Sequence, residues 1–356
     1  MSAEPVDRAT PEYIREGRSM RTKVAINGLG RIGRAILKLV IDAPSLDLVA
    51  VNDLANIDNL AYLLRFDSAY GPYGRAVAID GNNLVVDGHR VVALRNGTPG
   101  DLPWKSLGVA VVFECTGVFK RRQELEQHIR AGARVVLLSA PSEREDMETV
   151  VHGANTPAGD AMIISCASCT TNCITPIVEI MGRRIGIAKA IMTTVHAYTA
   201  SQSIVDRPSK HPRRGRAGAA NLVPTATGAA LATTRALPEY AGRFDGIAIR
   251  APILVGSIAD ITFVTSKTTS VNEVNGVLTE ESQSERYAGV VGVSGDALVS
   301  SDIIRDPRAS IVDLELTRVV DGDLVKVMSW YDNEWGYANQ MVREAVSLTS
   351  QIGAAS

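Results

Sequence analysis

The chain of 356 residues is 46% hydrophobic and 21% charged, a composition typical of a globular protein with about two domains. Its formal net charge of -2 gives no overall attraction to nucleic acid or to a membrane surface, so we expect neither as a main partner. No stretch approaches about 18 consecutive apolar residues, which excludes a membrane-spanning helix.

The N-terminal residues 1–20 mix acidic and basic side chains with two prolines and lack the apolar segment of a secretory signal. We expect them to be a disordered or loosely attached extension. Three of the four cysteines lie between residues 166 and 173, which is not the spacing of a disulfide framework. A reducing, cytoplasmic location fits this cysteine usage, and we predict no metal site.

A glycine-rich loop joins the first predicted strand to the first predicted helix. Residues 23–27 form a short apolar run, residues 28–33 read GLGRIG, and apolar residues then recur at helical spacing. In such a loop the first glycine permits a tight turn, the second lets the backbone approach a pyrophosphate, and the third lets the helix pack on the strand. The candidate dinucleotide contacts are therefore Gly28, Gly30, Arg31 and Ile32.

The second predicted strand, residues 46–51, ends beside Asp53, which lies 20 residues after Gly33. A carboxylate at this distance binds the ribose hydroxyls of NAD, so the loop and the acid together indicate a dinucleotide-binding domain. The alternative is a glycine-rich turn with a solvated aspartate. Arg95 precedes a loop rich in glycine and proline, where it either approaches the adenine or is solvated.

Two further apolar strands, residues 109–114 and 134–138, end in small polar residues, and a helical pattern over residues 121–131 connects them. The C-terminal ends of the strands line the dinucleotide crevice in a doubly wound sheet. Thr116 and Ser139 are therefore candidate cofactor contacts.

A cluster of thiols and hydroxyls, SCASCTTNC at residues 165–173, lies between an apolar run and a helical pattern. This places Cys169 at a helix N-terminus, directly after the predicted cap Ser168. Free amide N–H groups and the helix dipole lower the pKa of a thiol there, so we predict that Cys169 is a nucleophile. The alternative is that the cysteines of the cluster are small buried hydrophobic residues.

The run over residues 188–195 predicts a strand that ends at His196. A histidine with an ordinary pKa of about 6.5 suits a general base, and with Cys169 it completes a nucleophile-and-base pair. Arg250, at the end of another strand, offers a planar fork for anionic oxygens. For the basic loop at residues 206–220 we favour an anion site or a subunit contact over a solvated charge run or a nucleic-acid patch.

The PTATG segment at residues 224–228 supplies hydroxyls and glycine amides at a turn, which suits phosphate. Later apolar strands make the second half of the chain largely a sheet with helices on one face. A final helical pattern places Met341 and Val342 on one face, which predicts that this helix docks back onto the first domain.

Five segments carry a resemblance to one family: residues 25–34, SCASCTTNC, TTVHAYTASQ, PTATGAA and SWYDNEWGY. Over residues 21–350 the chain resembles the phosphorylating glyceraldehyde-3-phosphate dehydrogenases. The resemblance implies an α/β fold, with a Rossmann doubly wound sheet domain plus an α+β catalytic domain whose sheet is mainly antiparallel. We therefore expect an N-terminal extension (1–20), a dinucleotide-binding domain (21–168 and 335–356) and a catalytic domain (169–334).

The resemblance also implies a homotetramer that oxidises glyceraldehyde 3-phosphate to 1,3-bisphosphoglycerate with NAD, in glycolysis and gluconeogenesis. Cys169 resembles the thiolate that forms a hemithioacetal and then a thioester, His196 resembles the base, and Asn333 resembles the residue that orients the nicotinamide. The residues implied for the phosphate of the aldehyde are Thr199, Ser201 and Arg250. Those implied for inorganic phosphate are Ser168, Thr170, Arg214, Thr227 and Gly228.

Departures from the family pattern leave alternatives open. Arg207 could attract the 2′-phosphate of NADP whereas Asp53 repels it, so we expect NAD, with some use of NADP left open. Leu231 and residues 253–256 replace polar family residues, so another phosphorylated aldehyde such as erythrose 4-phosphate stays an alternative. A catalytically silent relative that binds RNA or protein is a second alternative. Cys166 replaces an asparagine, and we expect a packed thiol.

Overall fold

The computed structural model describes residues 21–144, 146–158 and 161–354. Residues 1–20, expected to form a loosely attached extension, lie outside the described residues, as do residues 355–356 of the expected dinucleotide-binding domain. Two β-sheets of nine and seven strands organise the described part of the chain. None of its helices is both long enough and apolar enough to span a bilayer.

The elements alternate between strands and helices along most of the chain. The helices of the described residues are α1 (Arg31–Asp42), α2 (Ile57–Arg65), α3 (Trp104–Leu107), α4 (Arg122–Arg130), α5 (Cys169–Arg184), α6 (Ala229–Ala236), α7 (Val271–Ser282) and α8 (Trp335–Ala354). The strands are β1 (Thr22–Asn27), β2 (Leu46–Asn52), β3 (Val77–Asp80), β4 (Asn83–Val86), β5 (His89–Leu94), β6 (Val111–Glu114), β7 (Val135–Leu138), β8 (Glu148–Thr149), β9 (Ile163–Ser165), β10 (Ile187–Ala197), β11 (Val223–Ala226), β12 (Phe244–Ala251), β13 (Ser257–Thr265), β14 (Val291–Ser294), β15 (Ser310–Val320) and β16 (Leu324–Tyr331).

The first sheet has the strand order β3-β4-β5-β2-β1-β6-β7-β9-β8. From β5 to β8 all neighbouring strands are parallel, and only the edge strands β3, β4 and β5 pair in antiparallel fashion. The predicted Rossmann doubly wound sheet is therefore confirmed. The antiparallel edge of this sheet was not predicted. The short strands β3 and β4 are half-exposed and lack the continuous apolar runs of β6 and β7.

The second sheet has the order β11-β12-β10-β13-β16-β15-β14. Four of its six pairings are antiparallel, and β10 with β12 and β14 with β15 are parallel, so the predicted mainly antiparallel sheet is also confirmed. Apolar side chains from α5, α6 and α7 form one buried cluster with the inner face of this sheet. The domain limits given above stay a prediction.

The last helix, α8, belongs to the core of the first sheet. Its residues Tyr337, Met341 and Val342 are buried in the same cluster as the apolar face of α1. Just before α8, the carboxylate of Glu334 accepts hydrogen bonds from the guanidinium of Arg31, at the start of α1. A segment remote in sequence therefore completes the first domain.

We expect Met341→Ala to lower the free energy of unfolding by about 2–5 kcal/mol, because it removes a side chain that is only 1% exposed and leaves a cavity against α1. Urea unfolding measures this difference. Met162→Ala is the matched control, since Met162 is 51% exposed and its truncation should change stability by less than about 0.5 kcal/mol. Equal losses in the two variants would contradict the packing of α8 described here.

Candidate active site

A sharp turn joins β9 of the first sheet to α5, which packs on the second sheet. Ala167 has a φ of 55°, a left-handed backbone conformation that residues other than glycine rarely adopt. The turn is held because Tyr337 of α8 donates a hydrogen bond to the Ala167 carbonyl at 3.0 Å. Ser168 then caps α5 by accepting from the Thr171 amide at 3.2 Å, so Cys169 is the first residue of the helix, as predicted.

The thiol of Cys169 lies 3.2 Å from Nε2 of His196, although the two residues are 27 positions apart. His196 lies near the end of β10, where the strand pairs with β12 and brings Arg250 opposite it. Tyr331 of β16 contacts the imidazole edge-on, and its hydroxyl shares hydrogen bonds with Thr170 and Thr194. The structure thus brings the predicted nucleophile, base and anion-binding arginine into one cluster.

Burial changes the proton affinity of both members of this pair. Desolvation raises the pKa of Cys169, and the Arg250 guanidinium and hydrogen bonds from Thr170 oppose that rise without cancelling it. Desolvation, together with Arg250, lowers the pKa of His196 to about 3. The expected lowering of the thiol pKa at the helix N-terminus is therefore opposed by burial, which raises the pKa of Cys169.

Proton transfer from Cys169 to His196 avoids most of the free-energy cost of a buried, unpaired charge. An isolated thiolate or an isolated imidazolium would be a buried unpaired charge, whereas transfer across the 3.2 Å contact leaves the net charge unchanged. The thiolate then lies at the helix N-terminus and beside Arg250, both of which favour a negative charge. In this state Cys169 is one half of an ion pair rather than an isolated thiolate.

The other ring nitrogen of His196 has two neighbours that make opposite demands. Nδ1 lies 2.6 Å from the carbonyl oxygen of Ala197 and 2.6 Å from a guanidinium nitrogen of Arg250. If the neutral imidazole carries its proton on Nδ1 and donates it to Ala197, Nε2 is free to accept the thiol proton. If Nδ1 instead accepts from Arg250, the proton is on Nε2, which then cannot accept another. An anion that draws Arg250 away would favour the first of these tautomers.

The remaining phosphate candidates lie around this cluster. The hydroxyls of Thr199 and Ser201 are 2.9 Å apart just beyond the end of β10. Arg214, in the basic loop, donates to Thr225 at 2.9 Å and lies near enough to contribute to the lowered pKa of Arg250, of which burial is the main cause. The turn into α6 contributes the hydroxyl of Thr227, which accepts from the Ala229 amide, and the backbone of Gly228.

Two predicted phosphate ligands have hydroxyls that are already engaged. Thr170 is 4% exposed and its hydroxyl lies 2.9 Å from that of Tyr331, and the hydroxyl of Ser168 lies 2.8 Å from that of Thr171. Both residues lie beside Cys169, and their role as ligands of inorganic phosphate stays a prediction. The backbone N–H groups at the start of α5 are the donors that remain there for an anion.

The glycine loop has the shape that a dinucleotide requires. Gly28 has a φ of 94° and lies against the backbone of Thr116, and a side chain at Gly33 would collide with the Gly28 carbonyl. A Cβ at Gly30, in contrast, would meet nothing within 4 Å, so the loop leaves open space where a pyrophosphate can approach. The Asp53 carboxylate accepts from the Leu29 amide at 2.7 Å, which fixes an acid beside this space. These features fit NAD.

Arg31 and Arg95 also lie at this loop, with side chains already engaged. The guanidinium of Arg31 is held by Glu334 and Asp67, so Arg31, like Ile32, offers its backbone at the start of α1. Arg95 donates to the Leu54 carbonyl at 2.8 Å, beside Asp53. This contact holds Arg95 near the expected ribose. The predicted contact between Arg95 and the adenine stays a prediction.

A buried carboxylate that the sequence analysis overlooked lies beneath the crevice. Glu114, at the end of β6, accepts from Asn27 at 2.6 Å and from both the amide and the hydroxyl of Thr116. His128 contacts the same carboxylate at 3.1 Å and accepts from the indole of Trp104 at 2.9 Å. Since Ser139 donates its amide to the Glu114 carbonyl, this network fixes both Thr116 and Ser139.

Asn333, between β16 and α8, lies next to the base. Its Oδ1 accepts from the Gly256 amide at 3.2 Å and from the Ser257 hydroxyl at 3.1 Å, and that hydroxyl accepts from the amide of Ala197. No sequence motif pointed to Ser257, and although Tyr331 lies within the SWYDNEWGY segment, no role was predicted for either residue. Their signal would have been a polar residue within a buried apolar strand.

The other cysteines of the cluster are packed thiols, as expected for Cys166. Cys166 is 4% exposed in the core of the first domain, and Cys173 is fully buried in the core of the second. Burial raises the pKa of both, to about 12 for Cys173. All four cysteines of the chain are free thiols.

Comparisons with known proteins agree with this arrangement. The family model for the NAD binding domain of glyceraldehyde 3-phosphate dehydrogenase matches residues 22–122, and the model for its C-terminal domain matches residues 168–333. A glyceraldehyde-3-phosphate dehydrogenase of Zymomonas mobilis is 42% identical over 94% of this chain and 100% of its own length. One from Kitasatospora aureofaciens is 46% identical over 90% of this chain and 97% of its own length. Glyceraldehyde-3-phosphate dehydrogenase 1 of Bacillus subtilis is 42% identical over 93% of this chain and 99% of its own length. With both family models matched in order and relatives 42–46% identical over at least 90% of its length, the chain belongs to the glyceraldehyde-3-phosphate dehydrogenase family.

Proposed function

We propose that this protein oxidises glyceraldehyde 3-phosphate in the presence of NAD and inorganic phosphate, releasing 1,3-bisphosphoglycerate. The observation that carries this proposal is the 3.2 Å contact between Cys169 and His196, between a dinucleotide loop and a group of arginines and hydroxyls. The relatives named above bear the name of this activity.

In the first step, the Cys169 sulfur attacks the aldehyde carbon while its proton passes to Nε2 of His196. His196 passes this proton on to the carbonyl oxygen, which becomes the hydroxyl of a hemithioacetal, and the imidazole is neutral again. His196 then removes this hydroxyl proton, the C=O bond re-forms, and the carbon becomes a thioester of Cys169. NAD, when bound, supplies the acceptor for the hydride that leaves the carbon in this step.

In the second half of the reaction, an oxygen of inorganic phosphate attacks the thioester carbon and the Cys169 thiolate leaves. The products are the acyl phosphate and the free thiolate, which regains its proton from His196. Ser168, Thr170, Arg214, Thr227 and Gly228 surround the attacking phosphate in this scheme, and Thr199, Ser201 and Arg250 hold the phosphate of the aldehyde. Their backbone amides, hydroxyls and guanidinium groups are the donors that phosphate prefers.

The substrate phosphate also acts on the base in this scheme. As it binds Arg250, the guanidinium leaves Nδ1 of His196, which then donates to Ala197 and frees Nε2 to accept the thiol proton. Substrate binding therefore favours the tautomer of His196 that accepts the thiol proton.

A second copy of the chain is the partner that we infer for the outer face of the second sheet. Ile191 of β10 and Ile247 of β12 stand on the same face, since Ile247 pairs with Thr193, and they are 60% and 52% exposed. The nearby Ile204, Val205 and Leu222 are at least 67% exposed. Apolar side chains grouped in this way mark a protein interface, and a homotetramer is what the family resemblance implies.

The assay that tests the proposed function is NADH formation from glyceraldehyde 3-phosphate with and without inorganic phosphate. We expect steady turnover only with phosphate, and we expect Cys169→Ser to reduce turnover by about a thousandfold or more, because a hydroxyl lacks the acidity of the thiol. Cys173→Ser is the control, since Cys173 is buried away from His196 and bonds to Ser310. Turnover of erythrose 4-phosphate but not of the triose phosphate would redirect the proposal to that aldehyde.

A pH prediction follows from the shared proton. We expect His196→Gln to slow alkylation of Cys169 by iodoacetamide about tenfold or more near pH 7, because burial raises the pKa of a thiol that has lost its base. The deficit should shrink as the pH rises and hydroxide deprotonates the thiol directly. Equal rates in wild type and variant at neutral pH would mean that the helix alone activates Cys169.

The inferred interface predicts that Ile247→Arg reduces the molar mass of the assembly measured by light scattering, because a charge would be buried where two copies meet. Val299→Arg is the control, since Val299 is similarly exposed and lies outside this face. A wild-type protein that scatters light as a single chain would refute the interface.

A further inference from the structure

The orientation of the Asn333 side-chain amide is fixed by two donors. The Gly256 N–H and the Ser257 O–H both point at one end of this amide, at 3.2 and 3.1 Å. A backbone N–H can only donate, so the end that faces Gly256 must be the oxygen, Oδ1. Reversing the amide would set its NH₂ group against both donors.

Ser257 connects this amide to the strand that carries the base. It is fully buried, and its hydroxyl accepts from the Ala197 amide at 3.1 Å. Because that contact uses a lone pair, the hydroxyl proton remains available for Oδ1 of Asn333. Gly256 completes the arrangement: its φ is 93° and a Cβ there would collide with the Ser300 carbonyl.

The opposite end of the amide is left without a partner. Among the described residues, nothing accepts a hydrogen bond from Nδ2 of Asn333, and its oxygen end is committed to the start of β13. The family resemblance implies that Asn333 orients the nicotinamide. An N–H donor at this end matches the carbonyl oxygen of the nicotinamide carboxamide rather than its NH₂ group.

We infer that Ser257 is a positioning residue that holds Asn333 with Nδ2 toward the carboxamide oxygen of the nicotinamide and so fixes which face of the ring meets Cys169. This inference rests on the proposed function and adds a residue that contacts neither substrate nor cofactor. It follows that Ser257 matters for ligands that carry a nicotinamide and is neutral for the rest of the dinucleotide.

Calorimetric titration with NAD and with ADP-ribose, which lacks the nicotinamide, separates these two effects. For Ser257→Ala we expect the Kd for NAD to rise about five- to tenfold, the change that one lost hydrogen bond produces, and the Kd for ADP-ribose to stay within about twofold. Ser310→Ala is the matched control, because Ser310 is also a fully buried strand serine, bonded to Ser329. Ser257→Thr keeps the hydroxyl and should restore the affinity for NAD.

Transferred nuclear Overhauser effects on bound NAD supply a readout that does not depend on activity. In the wild type we expect contacts between the ribose and one edge of the nicotinamide ring, and in Ser257→Ala weaker selection of that edge, because only the Gly256 N–H then holds the Asn333 amide. With a deuterated aldehyde, the same variant should transfer deuterium with reduced stereospecificity.

Three outcomes would overturn the inference: unchanged NAD affinity and ring orientation in Ser257→Ala, equal weakening of NAD and ADP-ribose, or the same losses in Ser310→Ala. Failure of the proposed function looks different. In that case the wild type gives no NADH with the triose phosphate, while the contrast between NAD and ADP-ribose is still measurable.

Discussion

The candidate active site depends on one contact between residues of the two sheets. Cys169 follows a strand of the first sheet and His196 lies near the end of a strand of the second, so their 3.2 Å separation brings the ends of these two strands together. The left-handed Ala167 turns the chain at this point, and a tyrosine from the last helix holds the turn. Strain in such a turn persists only where its surroundings enforce it, which is typical of a functional site.

Burial at this contact explains why the catalytic groups work as a pair. The pocket disfavours a lone thiolate and a lone imidazolium, yet it tolerates a proton moving between them, with the start of α5 and Arg250 stabilising the negative end. Arg250 has two roles in this arrangement, since it contacts the imidazole directly and is also the cation available to an anionic substrate. In the function that we propose, substrate binding and activation of the base depend on the same guanidinium.

Features encoded locally were predictable from the sequence. The glycine loop, the helix cap before Cys169 and the histidine near a strand end are each set by neighbouring residues, and the structure has all three. Features that depend on distant partners were not predictable. Tyr331 reaches Thr170 across 161 positions and Ser257 reaches Asn333 across 76, and no local pattern indicates these contacts. The rise that burial causes in the pKa of Cys169 was not predictable for the same reason, because burial is set by the whole fold.

The docking of α8 has a consequence for how the protein is made. Contacts between the first helix and the segment that leads into the last one span 303 positions, so the first domain lacks part of its core until those late residues have been synthesised. The second sheet also depends on late residues, because its interior strand β16 ends at Tyr331, just before α8. Both halves therefore lack an interior element until the end of the chain has been synthesised, and neither can complete its fold while the nascent chain is much shorter.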